Sequence, residues 1–131
     1  MPGYVAIWTN RFDLMVDFYG ERLGFHAVRW SEHPDRREVF FEMPGFLLKL
    51  VDNDFERNPR ILGATMERVN LVIEVEDIEE TRDCLDLEVP VPHINSHGER
   101  LFQLRDPDGL IVTFLESHAK DAPTTSLEKG D

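Results

Sequence analysis

One unit of strand, helix and three strands, written twice, constrains this chain more than any other feature. The first copy opens with a run of β-formers, "YVAIW". It continues with "TNRFDLMVDFYGERLGF", where Phe12, Met15, Val16, Tyr19 and Leu23 recur every three or four residues and so share one helical face. Gly24 can supply the left-handed stop, while Gly20 inside the segment costs about 1 kcal/mol against alanine. Three β-rich segments follow, "FHAVRW", "REVFFEM" and "FLLKLV", divided by turn residues. The second copy runs "VNLVIEV", then the amphipathic "DIEETRDCLDL" with Asp77 as N-cap and Glu80 three residues on, then "VPVPHI", "RLFQLR" and "LIVTFLE". Two prolines demote "VPVPHI" to an edge strand. The copies align at an offset of about 64 to 66 residues, which matches Gly45 with Gly109, Lys49 with Thr113, and Tyr4 with Asn70.

Duplication of this kind has a physical consequence. A small sheet with one helix on one face leaves its other face bare, so two such faces must meet each other or a ligand. The 131 residues are therefore expected to form one α+β domain over 1–118. Module one spans about 4–52, a polar linker with Asn58, Pro59 and Gly63 spans 53–67, and module two spans about 68–117. Residues 119–131 have little to bury and are expected to be flexible.

Composition narrows the partners. With 26 acidic against 14 basic residues the net charge is -12, which repels phosphate backbones and anionic membranes and draws cations. Neither nucleic acid nor membrane is expected as a partner. No uncharged apolar run approaches the roughly 18 residues a spanning helix needs, and "MPGYVAIWTN" lacks the basic and apolar regions of a leader. The single cysteine, Cys84, excludes an internal disulfide and a multi-cysteine metal site, and it fits a reduced cytoplasmic setting.

The turn in "RDPDGLIVTFLE" is structural. Pro107 presets φ at the first corner, Asp108 tolerates the second, and Gly109 takes the position that needs φ above zero. Two stretches, "FDLMVDFYGERLGF" and "GERLFQLRDPDGLIVTFLE", resemble signatures of the vicinal oxygen chelate superfamily, the glyoxalase / bleomycin resistance / dioxygenase group, over about residues 4 to 117. The resemblance implies two tandem βαβββ modules forming a half-open barrel. It also implies that metal-binding members place His, Gln or Glu ligands on the first and last strands of each module.

Carried onto this chain, those places fall at Tyr4, Lys49, Asn70 and Thr113. Lysine has no acceptor, and threonine, asparagine and neutral tyrosine are poor ligands for a divalent transition metal, so no metal and no cofactor are expected. Glu116 lies three residues beyond Thr113 and alternation turns it to the opposite face. Alternation nominates Trp8 and Glu74 on the same inner faces, with Ala6, Leu47, Val51, Val72, Ile111 and Leu115 as apolar neighbours. Trp8 and Trp30 can stack on a planar guest, the competing role being core packing. Phe40 and Phe41 face opposite sides of one strand, and Phe41 is assigned to the cleft. Lys49 and Glu74 either pair inside it or splay to its rim. The expected ligand-binding set is thus Tyr4, Trp8, Trp30, Phe41, Lys49, Asn70, Glu74 and Thr113, with no catalytic residue assigned.

His93 and His97 are four apart, but "PHINSH" follows two prolines and reads as loop, so helical ligand spacing is lost. Cys84 stands beside Asp83 and Asp86, a setting that disfavours a nucleophile. Three functions compete. A metal-free binding protein, similar to the bleomycin-resistance branch, would sequester a drug-like or metabolite ligand that is cationic or aromatic. A metal-dependent lyase, isomerase or dioxygenase would need an unorthodox ligand set, and a metal-free enzyme would use Glu74 as base or Lys49 as electrophile. A pure interaction protein follows if the inner faces simply pack together. The resemblance also implies a homodimer with its clefts at the subunit boundary.

Overall fold

The computed structural model describes residues 3–34, 36–63 and 69–117. The expected flexible tail and the last residues of the expected linker lie outside them. The first module comprises β1 (Tyr4–Thr9), α1 (Phe12–Val16), β2 (His26–His33), β3 (Arg36–Met43) and β4 (Phe46–Asp52). The second comprises β5 (Asn70–Val75), α2 (Ile78–Cys84), β6 (His93–Ile94), β7 (Arg100–Arg105) and β8 (Ile111–Glu116). Each module folds into a four-stranded sheet with the same strand order, β1-β4-β3-β2 and β5-β8-β7-β6. In both, the first strand pairs parallel to the last and the remaining pairs are antiparallel. The architecture is the tandem βαβββ arrangement, and the two sheets do not close into a barrel.

The matched turns behave alike. Gly45 and Gly109 adopt φ of 87° and 90°, a region open to glycine at no steric cost, and each delivers the chain into its module's last strand. "VPVPHI" contributes only His93 and Ile94 to an edge strand, because its prolines cannot donate to a ladder.

The first helix departs from the regular α-helix its spacing predicts. After Val16 it widens over Asp17–Arg22, and the Leu23 amide donates to the Phe18 carbonyl at 2.9 Å, five residues back. Widening brings Phe18 into the core beside Phe12, Met15, Tyr19 and Leu23 and leaves Val16 only half-buried. It also seats Gly20 against Phe41, where a Cβ would stand 3.3 Å from Phe41 Cε1. The glycine's propensity cost therefore permits a close approach. In α2, Asp77 caps as expected, its Oδ1 accepting from the Glu79 and Glu80 amides at 3.1 Å. Glu116 Oε2 accepts from the Ile78 amide at 3.1 Å, so Glu116 does lie on the helix side of its sheet.

One core joins the modules through their helix-side faces. Ile7, Met15, Tyr19, Phe41 and Leu48 from the first form a single apolar cluster with Leu71, Ile73, Phe102, Leu110 and Phe114 from the second. On the other two sheet faces Tyr4 and Val72 are 50% and 45% exposed, while Phe40, Val51 and Thr113 between them are buried. Among the described residues no helix is long and apolar enough to cross a membrane.

Candidate functional site

Strand register decides which side chains share the open faces. The Pro44–Gly45 turn pairs Met43 with Phe46, which sets Phe40 opposite Lys49 and Glu38 opposite Val51. The parallel β1 then sets Ala6 beside Lys49 and Trp8 beside Val51. Lys49 is the hub of this first face. Its Nζ is 3.4 Å from Glu38 Oε1, 5.4 Å from the Tyr4 ring centroid and 5.7 Å from that of Phe40. Tyr4 and Phe40 meet edge to face at 5.4 Å, and the Arg29 guanidinium lies over Phe40 at 4.6 Å. A lysine nearly out of water needs both the carboxylate and the electron-rich ring faces that surround it.

The second face answers the first position by position, with different chemistry. Thr113 stands where Lys49 does, Asn70 where Tyr4 does, and Gln103, opposite Thr113 in the ladder, where Phe40 does. The Thr113 hydroxyl donates to Asn70 Oδ1 at 2.7 Å and accepts from Gln103 Nε2 at 3.0 Å. Thr113 is buried, while Asn70 and Gln103 are exposed. Val72 and Glu74 continue this face and are exposed too.

Several expected site residues lie where alternation places them, and Phe41 does not lie in the cleft it was assigned to. Tyr4 and Lys49 come together on the first face, as Asn70 and Thr113 do on the second. Phe41 is a correction: it is 1% exposed and packs under the helix, 6.3 Å from the Tyr19 ring, so Phe40 is the open-face member of the pair. Trp30, named as a stacking surface for a planar guest, is 51% exposed. It opposes Val39 and meets Phe12 of α1 at 6.4 Å, because a register shift between Ala27 and Arg29 brings Arg29, not Trp30, beside Phe40. Lys49 pairs with Glu38 and leaves Glu74 exposed on the other sheet. Trp8 is half-buried under Arg60, whose guanidinium is 4.0 Å from the indole centroid. Glu38 and Gln103 escaped the sequence reading, and Phe40 was weighed there but passed over for Phe41. All three follow from counting back from the turns, since those turns fix which residue faces Lys49 and Thr113.

The modules are held in this relation by the Asp-Pro-Asp-Gly turn. Asp106 Oδ1 accepts from the Asp108 and Leu110 amides, both at 2.9 Å, and its Oδ2 accepts from the Tyr19 hydroxyl at 2.8 Å. Tyr19 is wholly buried and Asp106 is 4% exposed. Burial, then the adjacent Asp106 carboxylate, pushes the Tyr19 phenol upward, so it stays a donor. Burial likewise raises Asp106 above an ordinary aspartate, against the opposing pull of its hydrogen bonds from Tyr19 and the turn amides. On the outer edge, Arg11 adds a 3.1 Å ion pair to Asp108.

The resemblance implies a metal at Tyr4, Lys49, Asn70 and Thr113, and these residues do not fit one. A protonated lysine occupies one place and repels a cation, while the lone oxygen of Thr113 is already engaged on both sides. Among the described residues no three His, Cys, Asp or Glu side chains converge in a way that could hold a metal ion. His93 lies in the two-residue edge strand, and the His97 amide donates to Asn95 Oδ1 at 2.9 Å within a turn, as its sequence context suggested.

Comparison with known proteins bears on the fold and the family. Residues 2–114 match the family model of the Glyoxalase/Bleomycin resistance protein/Dioxygenase superfamily. A glyoxalase family protein from Enterococcus faecalis is 24% identical with a TM-score of 0.63, the match covering 88% of this chain and 97% of that one. Lactoylglutathione lyase from Agrobacterium tumefaciens is 22% identical with a TM-score of 0.62, covering 89% and 93%. The trypanothione-dependent glyoxalase I of Leishmania major is 24% identical with a TM-score of 0.65, covering 97% and 95%. At these identities the likeness to solved structures is one of fold. A sequence search of curated proteins found no match.

Proposed function

Because the chain belongs to the Glyoxalase/Bleomycin resistance protein/Dioxygenase superfamily, we propose that it is a metal-free member that binds a small organic molecule against its open sheet faces. One observation carries this reading: all four places where a metal ligand is implied hold side chains unsuited to a cation, and those side chains are already engaged with one another. What the first face offers instead is the exposed Tyr4 ring beside Phe40 and the apolar Leu47, a surface for a planar aromatic guest. The overall charge of -12 draws cations toward the molecule. Locally, Lys49, Arg29 and Arg60 already lie on the rings of Tyr4, Phe40 and Trp8, which favours an aromatic guest over a cationic one.

The open faces belong to a cleft completed by a second copy, so the working unit is a homodimer, in a reduced cytoplasmic setting. Sedimentation velocity is expected to give a dimer, and a concentration-independent species of 15.2 kDa contradicts it. The alternative is a metal-dependent lyase, isomerase or dioxygenase. Its support is that two of the similar structures are lactoylglutathione lyase and glyoxalase I, and the residues at the four places oppose it.

Elemental analysis and calorimetry together decide between them. Protein purified without chelators is expected to carry no stoichiometric zinc, nickel, manganese or iron, and to release heat with planar aromatics. Stoichiometric metal whose anomalous signal lies among Tyr4, Lys49, Asn70 and Thr113 overturns the proposal.

A further inference from the structure

Asn70, Thr113 and Gln103, three of the polar side chains of the second face, form a short hydrogen-bonded relay. The Thr113 hydroxyl has one hydrogen, and it lies between two primary amides, Asn70 and Gln103, at 2.7 Å and 3.0 Å. The hydroxyl gives its hydrogen to the Asn70 carbonyl and accepts from the Gln103 NH2. Each amide turns its other half away from Thr113, so the face shows an unengaged NH2 and an unengaged carbonyl. These are Asn70 Nδ2 and Gln103 Oε1. Among the described residues neither atom has a hydrogen-bond partner, and both side chains are exposed at the open face.

Charged groups match this pattern badly. A carboxylate or phosphate only accepts, so it satisfies Asn70 and faces the Gln103 carbonyl dipole. An ammonium only donates, and it meets the opposite mismatch at Asn70. A group with an N–H and a C=O on one edge satisfies both. Resting on the small-molecule reading proposed above, we infer that the second face is the polar half of the site and reads an amide, lactam or urea edge on the guest. Asn70 Nδ2 donates to the guest's carbonyl, and Gln103 Oε1 accepts from its N–H. Thr113 does not touch the guest; it is a positioning residue that locks both amides in complementary orientations.

The test uses the full chain and three probes of similar size. They are carbostyril, a planar bicyclic lactam; its N-methyl derivative, which keeps the carbonyl and loses the donor; and naphthylmethylammonium. Titrations are followed by proton–nitrogen correlation spectra. Carbostyril is expected to bind about tenfold more tightly than the other two and to shift the side-chain NH2 signals of Asn70 and Gln103. Thr113→Val is expected to erase that preference, and Thr113→Ser to restore it. Equal binding of carbostyril and its N-methyl derivative, or a preference that survives Thr113→Val, overturns the inference and leaves small-molecule binding intact. Failure of every probe overturns the small-molecule reading and the inference with it.

Discussion

Tyr19→Phe removes one oxygen and tests how the two modules are held together. The phenol is wholly buried and donates at 2.8 Å to Asp106 Oδ2, itself 4% exposed, so no water replaces the lost donor without a cavity forming. A hydrogen bond to a charged acceptor contributes roughly 1.5–3 kcal/mol, and stranding a buried carboxylate oxygen puts the expected loss near 2 kcal/mol. For a chain of this size that is about 6–10 °C in Tm, read by calorimetry or circular dichroism. The cost carries a pH signature. Asp106 already has a folded pKa above its unfolded value of 3.8, and the Tyr19 bond is one of the interactions that pull it back down. Without that bond the folded pKa rises further. The group's contribution to stability is then full below the unfolded pKa and lost as pH climbs through the raised one, so the mutant's deficit is largest at neutral pH and shrinks on acidification toward 4. In an Asp106→Asn background the same substitution should cost less than half as much, which isolates the pair from general cavity effects. A loss below about 0.5 kcal/mol that is flat between pH 5 and 7.5 would refute the coupling argued here.

Lys49→Met strands Glu38, whose side chain is 8% exposed, and is expected to cost roughly 2–3 kcal/mol in chemical denaturation. That is less than for a fully buried pair, since the Lys49 side chain keeps 16% exposure, and Glu38→Gln in the same chain should recover at least half. Arg60→Ala uncovers the Trp8 indole, so in a Trp30→Phe background acrylamide quenching should rise while stability falls by no more than about 1 kcal/mol. Asp77→Ala removes the cap of α2 and should lower stability by about 1 kcal/mol, measured from the urea midpoint; no change would mean that Glu116 alone satisfies that helix end.

The fold was legible because duplication, turn residues and helical spacing all pointed the same way. Two-residue alternation from Tyr4, Lys49, Asn70 and Thr113 correctly put those four on the open faces, and it turned Glu116 toward the helix. It failed where alternation alone is ambiguous. Phe40 and Phe41 are adjacent and chemically identical, so only the ladder position opposite Lys49, counted from Pro44–Gly45, tells which one looks outward. The same counting from Gly109 would have found Gln103. Trp30 could not have been placed this way, since a register shift between Ala27 and Arg29 switches the parity of its strand and nothing in "FHAVRW" announces it. The widening at Asp17–Arg22 was hidden too: its visible trace, Gly20, has meaning only once Phe41 is known to press against it.

The apolar cluster shared by the two halves has a consequence during synthesis. Tyr19 leaves the ribosome long before its acceptor Asp106, which lies 87 residues further along the chain. Until the later half emerges, the nascent first half must carry Met15, Phe18 and Tyr19 without the surface that covers them. The protein is thus most exposed to misassociation and to chaperone capture in that interval, and the closing hairpin around Gly109 is the piece whose arrival ends it.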